Sequence, residues 1–166
     1  EIDSCIKLQT ASQKIVEAHA AMRSGHYQAA DELFRSAIRL NPEKASSLTS
    51  VQAALIPLIK TESAQGKQKA GMNAFEEKRF KEALVCLDEA LALLPDNSPH
   101  FPSYLCDRAC ILCELKEFTE AISNCENALR SQPDFGLAHL RLGTAYFGLD
   151  KLDSILSHQK YLIGDE

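Results

Sequence analysis

The stretch AGMNAFEEKRFKEALVCLDEALALLP, Ala70–Pro95, places small and aromatic residues at fixed intervals. Phe80 follows Gly71 by nine residues, Ala83 comes three later, Ala90 seven after that, and Pro95 five further on. Between Phe80 and Leu94 the apolar positions Ala83, Leu84, Leu87, Ala90 and Leu91 recur at spacings of three and four, the period of a helix with one buried face. Pro95 cannot continue that helix and marks its exit. Gly71, Ala74 and Phe75 fall on a preceding helix that is expected to end near Glu77, with Lys78 and Arg79 as the turn. A small residue on each helix lets two backbones approach closely while larger side chains fill the flanks.

The same intervals recur along the chain. Ala109, Phe118, Ala121, Ala128 and Pro133 repeat them, as do Ala18, Tyr27, Ala30, Ala37 and Pro42. Gly143, Leu152, Ile155 and Leu162 match the first three steps. Fixed-period repetition of this length is the mark of a stacked-repeat architecture. Gly143 follows Ala109 by 34 residues, the length of a back-to-back helix pair. Ala109 follows Gly71 by 38, and the surplus falls in DNSPHFPS, whose two prolines imply a longer turn. Gly71 follows Ala18 by 53. That surplus carries Leu48, Val51, Leu55 and Leu58 at helical spacing, so an extended helix from about Ala45 to Glu77 is expected. Pro57 should kink it or break it in two. The first ten residues are expected to lengthen the first helix in the same way, leaving Ile2, Cys5 and Leu8 without a preceding partner.

Composition sets outer bounds. The 166 residues are 45% hydrophobic, enough for a packed core. Seven glycines and the lack of any long apolar run argue against a membrane span. Acidic residues outnumber basic ones 23 to 18, a net charge of −5, which disfavours binding driven by nucleic-acid phosphates. Lys67, Lys69, Lys78, Arg79 and Lys81 are read as a solvated helix face. Six cysteines are too sparse for a disulfide-stapled scaffold and point to a reduced, cytoplasmic setting. The chain begins at Glu1, so it is expected to be a piece of a longer protein.

These intervals resemble the tetratricopeptide repeat (TPR), a 34-residue helix pair with small residues near its eighth, twentieth and twenty-seventh positions and a proline near its end. The resemblance implies an all-α helical solenoid of about four helix-turn-helix units with an extended helix between the first and second. The whole chain, 1–166, then reads as a single array. Its repeats lie at about 11–44, 64–97, 102–135 and 136–166, with a helical spacer at 45–63. The last unit departs from the pattern, with Ile155 where alanine is usual and polar Gln159 where a core aromatic is common; its second helix is expected to need a further element to pack. The long helix, the LCDRA and AISNC segments and AHLRLG are similar to the arrays of DnaJ-type co-chaperones and other chaperone adaptors.

The resemblance also implies a site. The first helix of each pair lines the concave side, which holds an extended or helical peptide. Chaperone adaptors of the family grip an acidic C-terminal tail with lysines, asparagines and an arginine. Here the matching positions are Gln68, Met72, Asp107, Leu137 and Arg141, so only the arginine is kept. Asp107 would repel an incoming carboxylate unless it simply pairs with Arg141 or Arg108. The remaining groove positions are Ile15, His19 and Met22 in the first unit and Phe75 in the second. Cys106, Cys110 and Cys113 follow in the third, and Leu140, Thr144 and Phe147 in the fourth. Most are apolar, and methionine and cysteine are adaptable contacts.

The function expected is a protein–protein interaction module that binds a peptide or client segment in its groove, co-chaperone-like, without a working carboxylate clamp. The competing reading is a structural scaffold that assembles a complex through its convex face or ends. The partner expected is a protein or peptide, a chaperone or an unfolded client, with no nucleic acid and no membrane. No cofactor, metal or catalytic residue is expected. Cys106 and Cys113 lie about 10 Å apart along a helix, too far to share one zinc with Cys110. An accessible groove cysteine could serve redox chemistry, whereas Cys125 occupies a core position. No phosphate loop or metalloprotease motif occurs, so an enzyme is not expected.

Overall fold

A computed structural model describes residues 2–95 and 97–163, with side chains described for 4–95 and 97–153. The described residues form seven α-helices: α1 (Ile2–Arg23), α2 (Tyr27–Leu40), α3 (Ala45–Glu76), α4 (Phe80–Leu93), α5 (Phe101–Glu114), α6 (Phe118–Ser131) and α7 (Gly136–Ile163). A single 3-10 turn at Pro42–Lys44 joins α2 to α3. Two compact units result, residues 1–63 and 64–166.

Three of the four interval sets become helix pairs: α1 with α2, the second half of α3 with α4, and α5 with α6. Each pair turns in the same way. The residue seven positions after the small one has positive φ: Gly25 at 80°, Lys78 at 61° and Lys116 at 64°. Two backbone bonds close each turn. In the second pair, Arg79 N–H donates to Ala74 O at 2.8 Å and Lys78 N–H to Phe75 O at 2.9 Å. In the other two pairs His26 N–H donates to Ala21 O and Glu117 N–H to Leu112 O, both at 2.9 Å, in the place of the Arg79–Ala74 bond. This is the Schellman C-cap, which satisfies carbonyls that would otherwise be orphaned at the helix end. A lysine in the left-handed region costs about 1–2 kcal/mol, so packing must hold Lys78 and Lys116 there.

The small residues sit where the helices touch. A Cβ on Gly71 would lie 3.1 Å from the Ala83 carbonyl oxygen and 3.3 Å from Leu87 Cγ on α4. Ala18, Ala30, Ala37, Ala83, Ala90, Ala109, Ala121 and Ala128 are all fully buried. Around them the 1–63 unit packs Phe34, Leu48 and Leu55. The 64–166 unit packs Leu87 with Ile111, and Leu112 with Cys125 and Ala145.

The long helix α3 runs 32 residues with Pro57 inside it, unbroken where a break was one of the outcomes expected. Pro57 and Ala53 are both exposed, so water can bond the Ala53 carbonyl that loses its N–H partner. Leu48 and Leu55 of its first half stand seven apart and are buried, as are Leu105 and Leu112 in α5. The first half of α3 therefore covers the α1–α2 pair as the opening helix of a next repeat would. Gln52 then stands at the position of the small residue, and the helix continues instead of turning.

The fourth interval set lies along one helix. α7 spans 28 residues and passes through Asp150, seven after Gly143, without a turn. No glycine or proline interrupts residues 149–163, so the helix can run on. The side chains of Ile155, Gln159 and Leu162 lie outside the described residues, and with them the packing expected of that segment.

Candidate functional site

The expected groove residues fall in both units, and each unit is described by itself. In the 1–63 unit, Ile15 and Met22 are partly buried against the core around Phe34. The His19 ring stands edge-on to Phe34 at 5.3 Å and 88°, with Nδ1 2.7 Å from the Ile15 carbonyl oxygen. These three residues brace α1 against α2.

In the 64–166 unit the structure gathers Gln68, Asp107 and Arg141 from α3, α5 and α7. Gln68 Nε2 donates to Asp107 Oδ2 at 2.8 Å. Burial pushes the Asp107 carboxyl above the usual aspartate range, against the opposing pull of the Gln68 amide and the Arg141 charge. Arg141 Nε is buried without a hydrogen-bond partner. Of the positions that match a tail-gripping clamp, Gln68 and Asp107 are thus bonded to each other, and Arg141 reaches the carboxylate through its charge alone. Met72, one turn beyond Gln68 on α3, is partly buried.

Arg108 does not pair with Asp107, one of the two partnerships expected. Its Nε donates to Asp88 Oδ1 at 2.7 Å on α4, and its Nη2 lies 2.8 Å from Glu120 Oε1 on α6. It ties three helices together.

Cys106 does not line a groove. It is fully buried beside Leu105, Ala128 and Ala138, because α6 and α7 close over it. Desolvation pushes its thiol up to about 12, and that of Cys125 up to about 11. Burial likewise raises the thiols of Cys110 and Cys113. Burial thus works against thiolate formation at all four. Phe75 is held at 5.6 Å from Phe80, where it seals the α3–α4 turn. Leu137 packs against the cluster around Cys106.

Three expected positions remain open on α7. Leu140 and Phe147 are 64% and 72% exposed, and Thr144 between them donates its hydroxyl to the Leu140 carbonyl at 3.0 Å. At intervals of four and three they form one apolar stripe.

The sequence reading passed over a cleft of about 590 Å³ between α2 and the first half of α3, within the 1–63 unit. Asp31 forms part of its wall, is buried, accepts a bond from Gln52 Nε2 at 2.8 Å and pairs with Arg35 at 2.8 Å. The signal was available: the residue after the buried alanine is Leu84 and Ile122 in the other pairs, but Asp31 here.

Residues 15–50 match the family model described as tetratricopeptide repeat. Over part of its length the chain is similar to tetratricopeptide-repeat proteins. The chain is 32% identical over 91 residues to the TPR repeat-containing thioredoxin TTL4 of Arabidopsis thaliana, a match covering 55% of the chain and 13% of that protein. It is 24% identical over 122 residues to DnaJ homolog subfamily C member 7 of Mus musculus, covering 74% of the chain and 23% of that protein. A third relative is the Hsp70-Hsp90 organizing protein of Triticum aestivum, 29% identical over 96 residues, covering 57% of the chain and 16% of that protein. The chain thus spans less than a quarter of the length of each of these three relatives. A solved structure of the TPR2AB domain of yeast Sti1 is 19% identical at a TM-score of 0.49, covering 89% of this chain and 58% of that one. Among the described residues no helix is long and apolar enough to cross a membrane.

Proposed function

We propose that this TPR array is a non-catalytic, cytoplasmic adaptor of co-chaperone type that binds an apolar or amphipathic protein segment and does not grip an acidic C-terminal tail. Its contact face is the 64–166 unit's surface formed by the second half of α3, α5 and α7, with Met72, Leu140, Thr144 and Phe147 as contacts. The carrying observation is the Gln68–Asp107 hydrogen bond. On the resemblance, Asp107 then stands where an acidic ligand would need a donor, and a like-charge contact there costs several kcal/mol. The uncovered Leu140–Phe147 stripe supplies apolar surface in its stead. Relatives named as DnaJ and Hsp70-Hsp90 organizing proteins support the co-chaperone setting.

The test is fluorescence anisotropy with two labelled peptides, one amphipathic and uncharged at its C-terminus, the other ending in consecutive acidic residues. The amphipathic peptide is expected to bind at micromolar to millimolar concentration and to lose about tenfold on Phe147→Asp, the weight of one apolar contact of about 1.4 kcal/mol. Tight capture of the acidic peptide would overturn the reading. Equal binding by wild type and Phe147→Asp would move the partner surface off this face, as in a scaffold that works through its ends.

A further inference from the structure

The open stripe on α7 has a charged counterpart on α5. Leu140 and Phe147 stand seven residues apart, two helical turns or about 10.5 Å. Asp107 and Glu114 stand seven apart on α5 and, by the 34-residue repeat, one position past the slots of Leu140 and Phe147. The two helices pack against each other in the 64–166 unit and share the cluster around Cys106 and Ala138.

Both carboxylates have capacity to spare. Gln68 takes Oδ2 of Asp107, and among the described residues no donor meets Oδ1 of this partly buried side chain. Glu114 is exposed, and among the described residues no cation lies within ion-pair distance of it. By contrast Glu89 is taken by Lys67, Glu77 and Glu82 by Arg79, and Asp88 and Glu120 by Arg108. Around Cys110, between the two on α5, their charges oppose a single guanidinium, that of Arg141. The wider unit has the same sign. Residues 64–166 hold sixteen acidic side chains against eleven basic and so carry the whole net charge of −5, while residues 1–63 hold seven of each.

Two rows with a common spacing select the shape that fits them. A strand covers about 10.5 Å in about three residues, an odd number, so two side chains at that distance point to opposite faces. A helix returns to the same face after seven residues. Building on the contact face proposed above, we propose that its occupant is a basic amphipathic helix of a partner protein. Apolar residues seven apart on that helix lie on Leu140 and Phe147, and lysines or arginines seven apart meet Asp107 and Glu114. Opposite charges across the contact fix its register and disfavour acidic segments.

Fluorescence anisotropy of the whole chain with three labelled helical peptides tests it. All carry leucine at two positions seven apart. The first has lysine directly after each leucine, and the second has glutamine there. The third keeps that glutamine and has lysine two residues after each leucine, on the opposite face. The first is expected to bind about five- to tenfold more tightly than the other two, the weight of two partly exposed ion pairs. Asp107→Asn combined with Glu114→Gln should erase that preference without weakening the second peptide. Asparagine keeps an acceptor for Gln68, and Glu114 is exposed, so the double variant retains the packing of the unit. If Phe147→Asp weakens all three peptides but the first binds no tighter than the second, the charge pattern is overturned and the contact face stands. Equal binding by the two lysine peptides would also overturn the pattern, because net charge without register would then be enough. If Phe147→Asp weakens none of them, the contact face fails and its occupant with it.

Discussion

Gln68 on α3 donates its side-chain amide to Asp107 on α5 at 2.8 Å, a bond that joins the two helices within the 64–166 unit. The bond does not fully offset the burial of the carboxylate, whose pKa stays above the usual aspartate range despite Gln68 and Arg141. The folded chain holds this proton more tightly than the unfolded chain does. The Asp107 contribution to stability is therefore highest in acid, falls as pH rises from the free-aspartate value through its raised one, and stays low at neutral pH.

Asp107→Asn should accordingly stabilise the protein at pH 7. Asparagine keeps an acceptor for Gln68 and removes the buried charge. Urea melts at a series of pH values check the claim: the gain should shrink toward zero as pH falls through and below the carboxylate range. A variant that is less stable at neutral pH would mean that attraction to Arg141 outweighs desolvation.

The two glycines at the small-residue position of their repeats should respond oppositely to enlargement. Gly71 faces backbone and side-chain atoms of α4 at 3.1–3.3 Å from a built Cβ, whereas Gly143 faces none within 4 Å. Gly71→Val should destabilise by about 1–3 kcal/mol, the usual cost of overpacking. Gly143→Ala should stabilise by up to about 1 kcal/mol through helix propensity, and alanine at this slot is compatible with the helix pairs at Ala18 and Ala109. Thermal melts of the two variants give the contrast directly, and equal losses in both would show that Gly143 is packed as tightly as Gly71.

Helix pairing was legible in the sequence because close backbone approach demands small residues at a fixed period, and Gly71, Ala83, Ala90 and their counterparts mark it. The site was less legible. Position alone suggested that Cys106, Phe75 and Leu137 face a groove, but groove-facing and neighbour-facing positions differ by one residue on a helix. What covers each depends on the next helix: Cys106 is closed over by α6 and α7, while Leu140 at the same slot of α7 is open. The pairing of Arg108 with Asp88 and Glu120 depends on how three helices converge, which no interval along the chain encodes. The first half of α3 forms the helix expected of it. It packs as an opening helix, yet it carries Gln52 where the ruler asks for a small residue, so it reads as a spacer.

Thiol labelling should sort the cysteines by burial. Cys5 is exposed, whereas Cys106 and Cys125 are buried with thiols pushed up to about 12 and about 11. The thiolate is the nucleophile, so at pH 8 these two present less than about one part in a hundred in reactive form. Iodoacetamide followed by peptide mass mapping should modify Cys5 within minutes. Cys106 and Cys125 should react only after urea is added. Native-state modification of Cys106 at a rate comparable to Cys5 would show that α7 opens readily from α5.

Arg108 offers a separation of charge from packing. Its side chain is 16% exposed, while its partners Asp88 and Glu120 are 51% and 50% exposed. Carboxylates that open to water regain hydration when the guanidinium is removed, so each pair should contribute no more than about 1 kcal/mol. The buried stem is a different matter, since a long basic side chain covers apolar surface along its length. Arg108→Met keeps that cover and should change stability by less than about 1 kcal/mol. Arg108→Ala loses both cover and charge and should cost about 1–3 kcal/mol. Salt supplies the cross-check: raising ionic strength to about 1 M, where the screening length is about 3 Å, should narrow the gap between wild type and Arg108→Met but not between Met and Ala. If the Met variant instead loses as much as the Ala variant, the three helices are held by the ion pairs and not by the stem between them.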